Sequence, residues 1–219
     1  GFMTIRALVF DAFGTLVEIQ DRRHPFARLA RISRDRRQRE LVMTRALSLQ
    51  EAGQALGSRR IDMAALDADL AAELASIQLF PDVIGTLQEA RARGLKVGIA
   101  SNLAAPYAEP LLRLLPFEPD ACAWSFEVGY LKPDPRIFAW VCEQLNVAAC
   151  EALMVGDTYV DDYAGALASG LNAVHLDRRG NGGYPKAAVT IRTLRDILPA
   201  LRHQSESLSG GQTGSVGFS

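Results

Sequence analysis

The stretch Ile5-Arg6-Ala7-Leu8-Val9-Phe10-Asp11-Ala12-Phe13-Gly14-Thr15-Leu16 sets the terms for the rest of the chain. Its apolar run, residues 5–10, stops at a carboxylate, Asp11. A run of this kind suits a strand buried on both faces of a parallel sheet. Similar runs follow. Residues 95–100 close on Ser101 and Asn102, residues 121–126 form a weaker run, residues 152–155 close on Gly156 and Asp157, and residues 173–176 close on Asp177. Helical periods lie between them. Residues 81–93 carry Val83, Ile84, Leu87 and Ala90 and stop at Gly94. Residues 135–145 carry Phe138, Val141, Cys142 and Leu145, with Asp134 as N-cap and Pro135 at the first helical position. Residues 163–168 form a small-residue helix ended by Gly170. Strand alternating with helix predicts an α/β fold, a Rossmann-like doubly wound parallel sheet.

Residues 17–80 interrupt this alternation and contain no convincing strand. Leu41, Val42, Arg45, Ala46, Leu49, Ala52 and Leu56 follow one helical period, closed by Gly57. Leu66, Leu70, Leu74 and Ile77 follow a second. The expected organisation is a core of residues 3–16 and 81–204, an all-helical insert over 17–80, and a Ser/Gly-rich, flexible tail over 205–219. Gly1 and Phe2, ahead of Met3, read as additions to the natural start. The 219 residues, 48% hydrophobic and 22% charged, suffice for one such domain with an insertion. Twenty-four basic against 25 acidic residues leave a net charge of −1, which argues against a nucleic-acid binder. No run of about 18 apolar residues occurs, so no membrane span is expected. Cys122, Cys142 and Cys150 form no CxxC pair, which argues against a disulfide framework or a zinc site. With no signal peptide in view, a cytoplasmic location is expected.

In an open parallel sheet, ligands bind beyond the carboxyl ends of the strands. The candidate chemistry therefore lies with Asp11, Ser101 and Asn102, Asp157, and Lys132 ahead of a helix. Two carboxylates at one edge repel each other. A cation relieves that repulsion, and Mg²⁺ favours one or two carboxylates with phosphate oxygens and water. A hydroxyl and a lysine then hold the remaining oxygens of an anionic group. Such a constellation suits phosphoryl transfer with a carboxylate as nucleophile.

Four segments resemble, in order, the four motifs of the haloacid dehalogenase-like hydrolase superfamily. They are Val9-Phe10-Asp11-Ala12-Phe13-Gly14-Thr15-Leu16, Ile99-Ala100-Ser101-Asn102, Gly129-Tyr130-Leu131-Lys132-Pro133-Asp134-Pro135, and Val155-Gly156-Asp157-Thr158-Tyr159-Val160-Asp161-Asp162. The resemblance spans about residues 4–202 and includes the insert, which resembles that superfamily's small helical cap. It implies that Asp11 is the nucleophile and forms an aspartyl intermediate. It implies that Ser101, with Asn102 and Thr15, contacts the substrate, and that Lys132 neutralises charge on Asp11 and on a bound phosphate. It also implies Mg²⁺ held by Asp11, the backbone carbonyl of Phe13, Asp157, and Asp162 or Asp161. Asp162 fits better, because Tyr163-Ala164-Gly165-Ala166 aligns with the helix that follows that acid. The implied partner is a small anionic substrate, a phosphorylated one.

Phe13 departs from the pattern. The family's phosphatases carry a second Asp there, which protonates the leaving group and later activates water. General acid–base help is worth about 10²–10⁴-fold. His24, at the start of the insert, is a candidate substitute, although a lone histidine there reads first as a surface or packing residue. An aromatic at position 13 resembles the 2-haloacid dehalogenase branch, in which the Asp attacks carbon, halide leaves unprotonated and no metal is needed. Gly156 and Asp157 depart from that branch, which carries Ser and Asn there, and a second acid beside the nucleophile calls for a cation. The expectation is Mg²⁺-dependent hydrolysis of a small phosphomonoester. The alternatives are metal-independent 2-haloacid dehalogenation and a weakly active or non-catalytic family member.

Residues 22–45 hold nine arginines against Asp35 and Glu40. A solvated helix face is the first reading, and steering of an anionic substrate the functional one. The glycine stretch 180–183 lacks the strand–loop–helix context of a phosphate loop and reads as a surface turn.

Overall fold

The computed structural model describes residues 4–58, 60–181 and 189–201. The tail expected over 205–219, and Gly182 and Gly183 of the glycine stretch, lie outside the described residues. The strands are β1 (Ala7–Phe10), β2 (Val17–Ile19), β3 (Ile77–Leu79), β4 (Lys96–Ser101), β5 (Ala121–Trp124), β6 (Ala152–Gly156), β7 (Asn172–Leu176) and β8 (Thr190–Ile191). Six of them form a parallel sheet in the order β5-β4-β1-β6-β7-β8, with β1 inside it. All four residues of β1 are buried, and they alternate between two cores. Leu8 and Phe10 join Leu87, Ile99, Leu111 and Val155 on one face, while Ala7 and Val9 join Ile137, Phe138, Val141 and Met154 on the other. A strand covered on both sides has no polar face to show, which is why its sequence reads as a continuous apolar run.

The helices are α1 (Pro25–Ala30), α2 (Arg36–Thr44), α3 (Leu49–Ala55), α4 (Met63–Ala75), α5 (Val83–Ala92), α6 (Ala108–Leu114), α7 (Ser125–Val128), α8 (Pro135–Gln144) and α9 (Gly165–Ala168). Helix α8 starts where the sequence predicts: the Asp134 carboxylate accepts from the Arg136 N–H, and Pro135 occupies the first turn. A π-helical turn, Tyr159–Ala164, precedes α9. No described helix is long and apolar enough to cross a membrane.

Three expectations for residues 17–80 need correction. The segment is not all helical: β2 pairs antiparallel with β3, Val17 opposite Leu79 and Ile19 opposite Ile77. Strands of three residues are too short to display a period of two. Ile77, read as the end of a helix, lies in β3. The single period from Leu41 to Leu56 is two helices, because Ser48 opens a new N-terminus with a capping box to Glu51.

Both connections between the sheet and this segment converge on one ion pair. Arg178, just after β7, donates from Nη1 to Asp82 Oδ2 at 2.8 Å and from Nη2 to Asp82 Oδ1 at 2.9 Å. Its Nη2 also donates to the Thr15 carbonyl at 2.7 Å, and its guanidinium lies 3.9 Å over the Phe80 ring. Asp82 further accepts from the Thr193 hydroxyl and the Leu194 N–H, each at 2.9 Å. Burial resists the charge on Asp82, but Arg178, Leu194 and Thr193 together hold its carboxyl below the ordinary value. A depressed carboxyl stabilises the fold above its unfolded pKa of about 3.9, and that contribution is lost as pH falls through the folded pKa. Asp82→Asn is therefore expected to cost about 2–4 kcal/mol near neutrality, somewhat less than for a fully enclosed pair because Arg178 is partly exposed. Urea unfolding followed down to about pH 3 checks both points, since the variant should lose less stability on acidification than the parent.

Candidate active site

Strand register assembles the site. Phe10 lies opposite both Ile99 of β4 and Val155 of β6. Asp11, Ser101 and Asp157 therefore emerge side by side at the carboxyl edge of the sheet. The Asp11 N–H donates to the Val155 carbonyl at 2.9 Å. Asp11, Asp157 and Asp162 each bring a carboxylate oxygen to within 4.8 Å of the others. Asp162 reaches this cluster from the π-helical turn, and its Oδ2 accepts from the Thr158 N–H at 3.0 Å.

Lys132 enters between these acids. Its Nζ donates to Asp11 Oδ1 at 2.9 Å and to Asp162 Oδ1 at 2.6 Å. The side chain is 2% exposed. Burial disfavours its charge, but Asp11 and Asp162 outweigh that and raise it above an ordinary lysine. Asp11 is pushed up to about 6: burial is the main cause, Lys132 opposes it and Asp157 adds to it. Asp162 is pushed up to about 6 by burial, again against Lys132 and with Asp11 adding to the rise. Three carboxylates facing one ammonium leave two negative charges in surplus.

Two glycines make room for this packing. A Cβ on Gly14 would collide with Asp157 Oδ2, and Gly14 has φ of +88°, a region that L side chains rarely adopt. A Cβ on Gly156 would collide with Asp162 Oδ2.

Asn102 clamps the lysine backbone. The Lys132 N–H donates to Asn102 Oδ1 at 2.7 Å, and Asn102 Nδ2 donates to the Lys132 carbonyl at 3.0 Å. A cavity of about 150 Å³ opens at this edge, lined by Asp11, Phe13, Ser101, Asn102, Lys132, Thr158, Asp161 and Asp162. Ser101 is buried except toward it. Asp161 is half-buried here, and burial pushes its carboxyl upward.

The structure places Thr15 differently from the substrate contact expected of it. It is fully buried and absent from the described lining of this cavity, and its hydroxyl is directed to Asp157 Oδ1 at 3.5 Å. The turn after β1 points that side chain back into the protein. Phe13 meets the edge of the Tyr107 ring at 5.8 Å between centroids. His24 caps α1 in a left-handed conformation, φ 54°, and lines a larger neighbouring cavity with Phe13 rather than the one at Asp11.

Some supporting residues escape sequence reasoning. Glu73 of α4 is 2% exposed, accepts from the Arg23 and His24 N–H groups and receives the Tyr107 hydroxyl. His175 Nε2 hydrogen-bonds the Asp157 carbonyl at 3.0 Å. Glu73 lies in an exposed-looking stretch of acids and alanines, and His175 hides inside the β7 apolar run, so neither carries a local signal.

The donor set consists of hard carboxylate oxygens with surplus negative charge, which fits a divalent cation such as Mg²⁺. A carboxyl with a raised pKa favours folding at low pH, and that contribution is lost as pH rises through the folded value. Added Mg²⁺ is thus expected to raise the melting temperature more at about pH 8, where Asp11 and Asp162 are ionised, than at about pH 5. Lys132→Met should cost about 3–5 kcal/mol at about pH 8 and markedly less at about pH 5, measured by denaturant unfolding without added cation.

The haloacid dehalogenase-like hydrolase family model matches residues 5–170. (S)-2-haloacid dehalogenase 4A of Burkholderia cepacia is 30% identical over 230 aligned residues, covering 94% of this chain and 93% of that protein. Phosphoglycolate phosphatase of Escherichia coli is 32% identical over 129 residues, covering 56% of this chain and 51% of that protein. The crystal structure of a HAD phosphatase from Thermococcus onnurineus superposes with a TM-score of 0.61 at 28% identity, over 90% of this chain and 98% of the other.

Proposed function

The chain belongs to the haloacid dehalogenase-like hydrolases, and on that premise we propose that it hydrolyses phosphomonoesters with Mg²⁺ bound, through an aspartyl-phosphate on Asp11. In this reading residues 17–80 act as a cap on the core. One observation carries it: Asp157 joins Asp11 and Asp162 in a single cluster. The surplus charge beside the nucleophile calls for a cation. Asp11, Asp157 and Asp162 would hold it, with the Phe13 carbonyl as a further ligand. When bound, Mg²⁺ supplies charge neutralisation at the phosphoryl oxygens.

The chain's own residues supply the rest. Asp11, ionised, attacks phosphorus, and the P–O bond to the organic part breaks. Lys132 and the Ser101 hydroxyl donate to the phosphoryl oxygens as charge builds on them. The departing oxygen takes its proton from solvent, because Phe13 has none to give. Water then hydrolyses the acyl phosphate and restores Asp11. Good leaving groups should therefore be favoured strongly over alkoxides.

A second reading is 2-haloacid dehalogenation. It is favoured by Phe13 and by the likeness to the Burkholderia cepacia dehalogenase along nearly the whole chain. Asp11 would then attack carbon, and halide would leave without a proton.

Phosphate release with Mg²⁺ and with chelator, beside halide release from 2-haloacids, separates the two. The expected result is phosphate release that chelator and Asp11→Asn both abolish. Chelator-resistant halide release without phosphate would overturn the proposal, and silence in both assays would favour a non-catalytic protein. Phe13→Asp is expected to raise kcat on alkyl phosphates by about 10²-fold. An unchanged kcat would show that the missing acid does not limit turnover.

A further inference from the structure

Beside the small cavity at Asp11 lies a second one of about 620 Å³. Phe13 and Asn102 line both, so the two chambers meet at these side chains. The larger volume is that of a site for a ligand of drug size, about 300–1,000 Å³. A phosphoryl group on a two-carbon body belongs to the smaller chamber and would leave the larger one to water. The walls of the larger chamber are mostly apolar: Phe26 and Ala30 of α1, Val42 and Met43 of α2, and Tyr107 beside α6. Such walls gain from an apolar occupant.

Arg22 and Arg31 also line this chamber. Of the other arginines here, Arg23 and Arg28 bind Asp69, Arg36 binds Glu40, and Arg39, which also lines the chamber, donates to the Ser33 and Arg34 carbonyls. Among the described residues no carboxylate pairs with Arg22 or Arg31. A guanidinium without an internal partner at the wall of an apolar chamber offers a planar fork for a carboxylate.

We propose that the substrate is a phosphomonoester whose organic part is bulky and apolar, aromatic or branched, and ends in a second acidic group. The phosphoryl end sits at Asp11, the body packs between Phe13, Phe26 and Met43, and the acid meets Arg22 and Arg31. The proposal rests on the phosphomonoester reading above and names the substrate class for that same site. It also sets this chain apart from a phosphatase for two-carbon phosphates.

Three probes test it: an arylalkyl phosphate ending in a carboxylate, its carboxamide isostere, and phosphoglycolate. The expected kcat/KM is highest for the aryl acid, roughly tenfold above the amide and further above phosphoglycolate. Arg22→Gln with Arg31→Gln should bring the acid-to-amide ratio close to unity, mainly through the KM of the acid. Arg113→Gln, in an exposed pair with Glu109 on α6, should leave that ratio intact. Ala27→Trp, on the exposed rim of the chamber, should penalise both aryl substrates relative to phosphoglycolate. Equal rates for acid and amide in the parent protein would overturn the proposal. So would a ratio that survives both arginine changes, or a preference for phosphoglycolate. Turnover of phosphoglycolate alone would leave the phosphomonoester reading standing, whereas no phosphate release from any probe would end both.

Discussion

The ammonium of Lys132, buried between the carboxylates of Asp11 and Asp162, is the contact on which the site depends. It joins segments more than a hundred residues apart, and each charge is tolerable in the interior only because the others are there. The surroundings serve this contact. Asn102 holds the lysine backbone by two hydrogen bonds, the Thr158 N–H fixes Asp162, and Gly156 leaves out the Cβ that would collide with Asp162. Even so, one cation does not balance three acids. The carboxyls of Asp11 and Asp162 are raised chiefly by burial, with a neighbouring acid adding to each, and the surplus negative charge makes the edge receptive to a cation, which in turn would admit an anionic group.

The sheet delivers these groups, and the ion pair between Arg178 and Asp82 ties residues 17–80 to it at both connections. Arg178 touches the Thr15 carbonyl on the way out of the sheet and Phe80 and Asp82 on the way back. The same Thr15 supports Asp157 through its hydroxyl. Loosening this junction would therefore disturb the loop after β1 as well as the attachment of residues 17–80. A tilt of that segment would also change the large chamber, because its walls come from α1 and α2 on one side and from Phe13 and Tyr107 on the other.

The sheet was legible because fully buried strands write continuous apolar runs, as in β1 and β6, and because each ends on a polar residue. The β2–β3 pairing was not, since three residues cannot establish a period, and β3 continued what read as a helical one. The split between α2 and α3 was hidden because the apolar spacing runs on across it, although Ser48 and Glu51 did carry the capping signal. The residues at the strand ends, Asp11, Ser101 and Asp157, follow from chain order plus parallel topology. The partners that orient them do not. Thr15 turns inward to Asp157, Asn102 clamps a backbone thirty residues away, and Glu73 is buried by contacts with Arg23, His24 and Tyr107 that no local pattern announces.

Phe13 is where the sequence and the charge pattern of the site pull apart. Its ring removes a proton carrier from the nucleophile's loop, while Asp157, at the end of the adjacent strand β6, demands positive charge. The proposed reading gives the charge pattern precedence: phosphoryl chemistry on Asp11, slow on poor leaving groups. The most direct measurement is acid quench of the protein during turnover of a phosphomonoester with Mg²⁺, followed by peptide mapping. The expected result is a phosphoryl group, stable in acid and labile in base, on the peptide containing Asp11. An unmodified Asp11 during sustained phosphate release, or an alkyl ester on Asp11 formed from a 2-haloacid without metal, would contradict it.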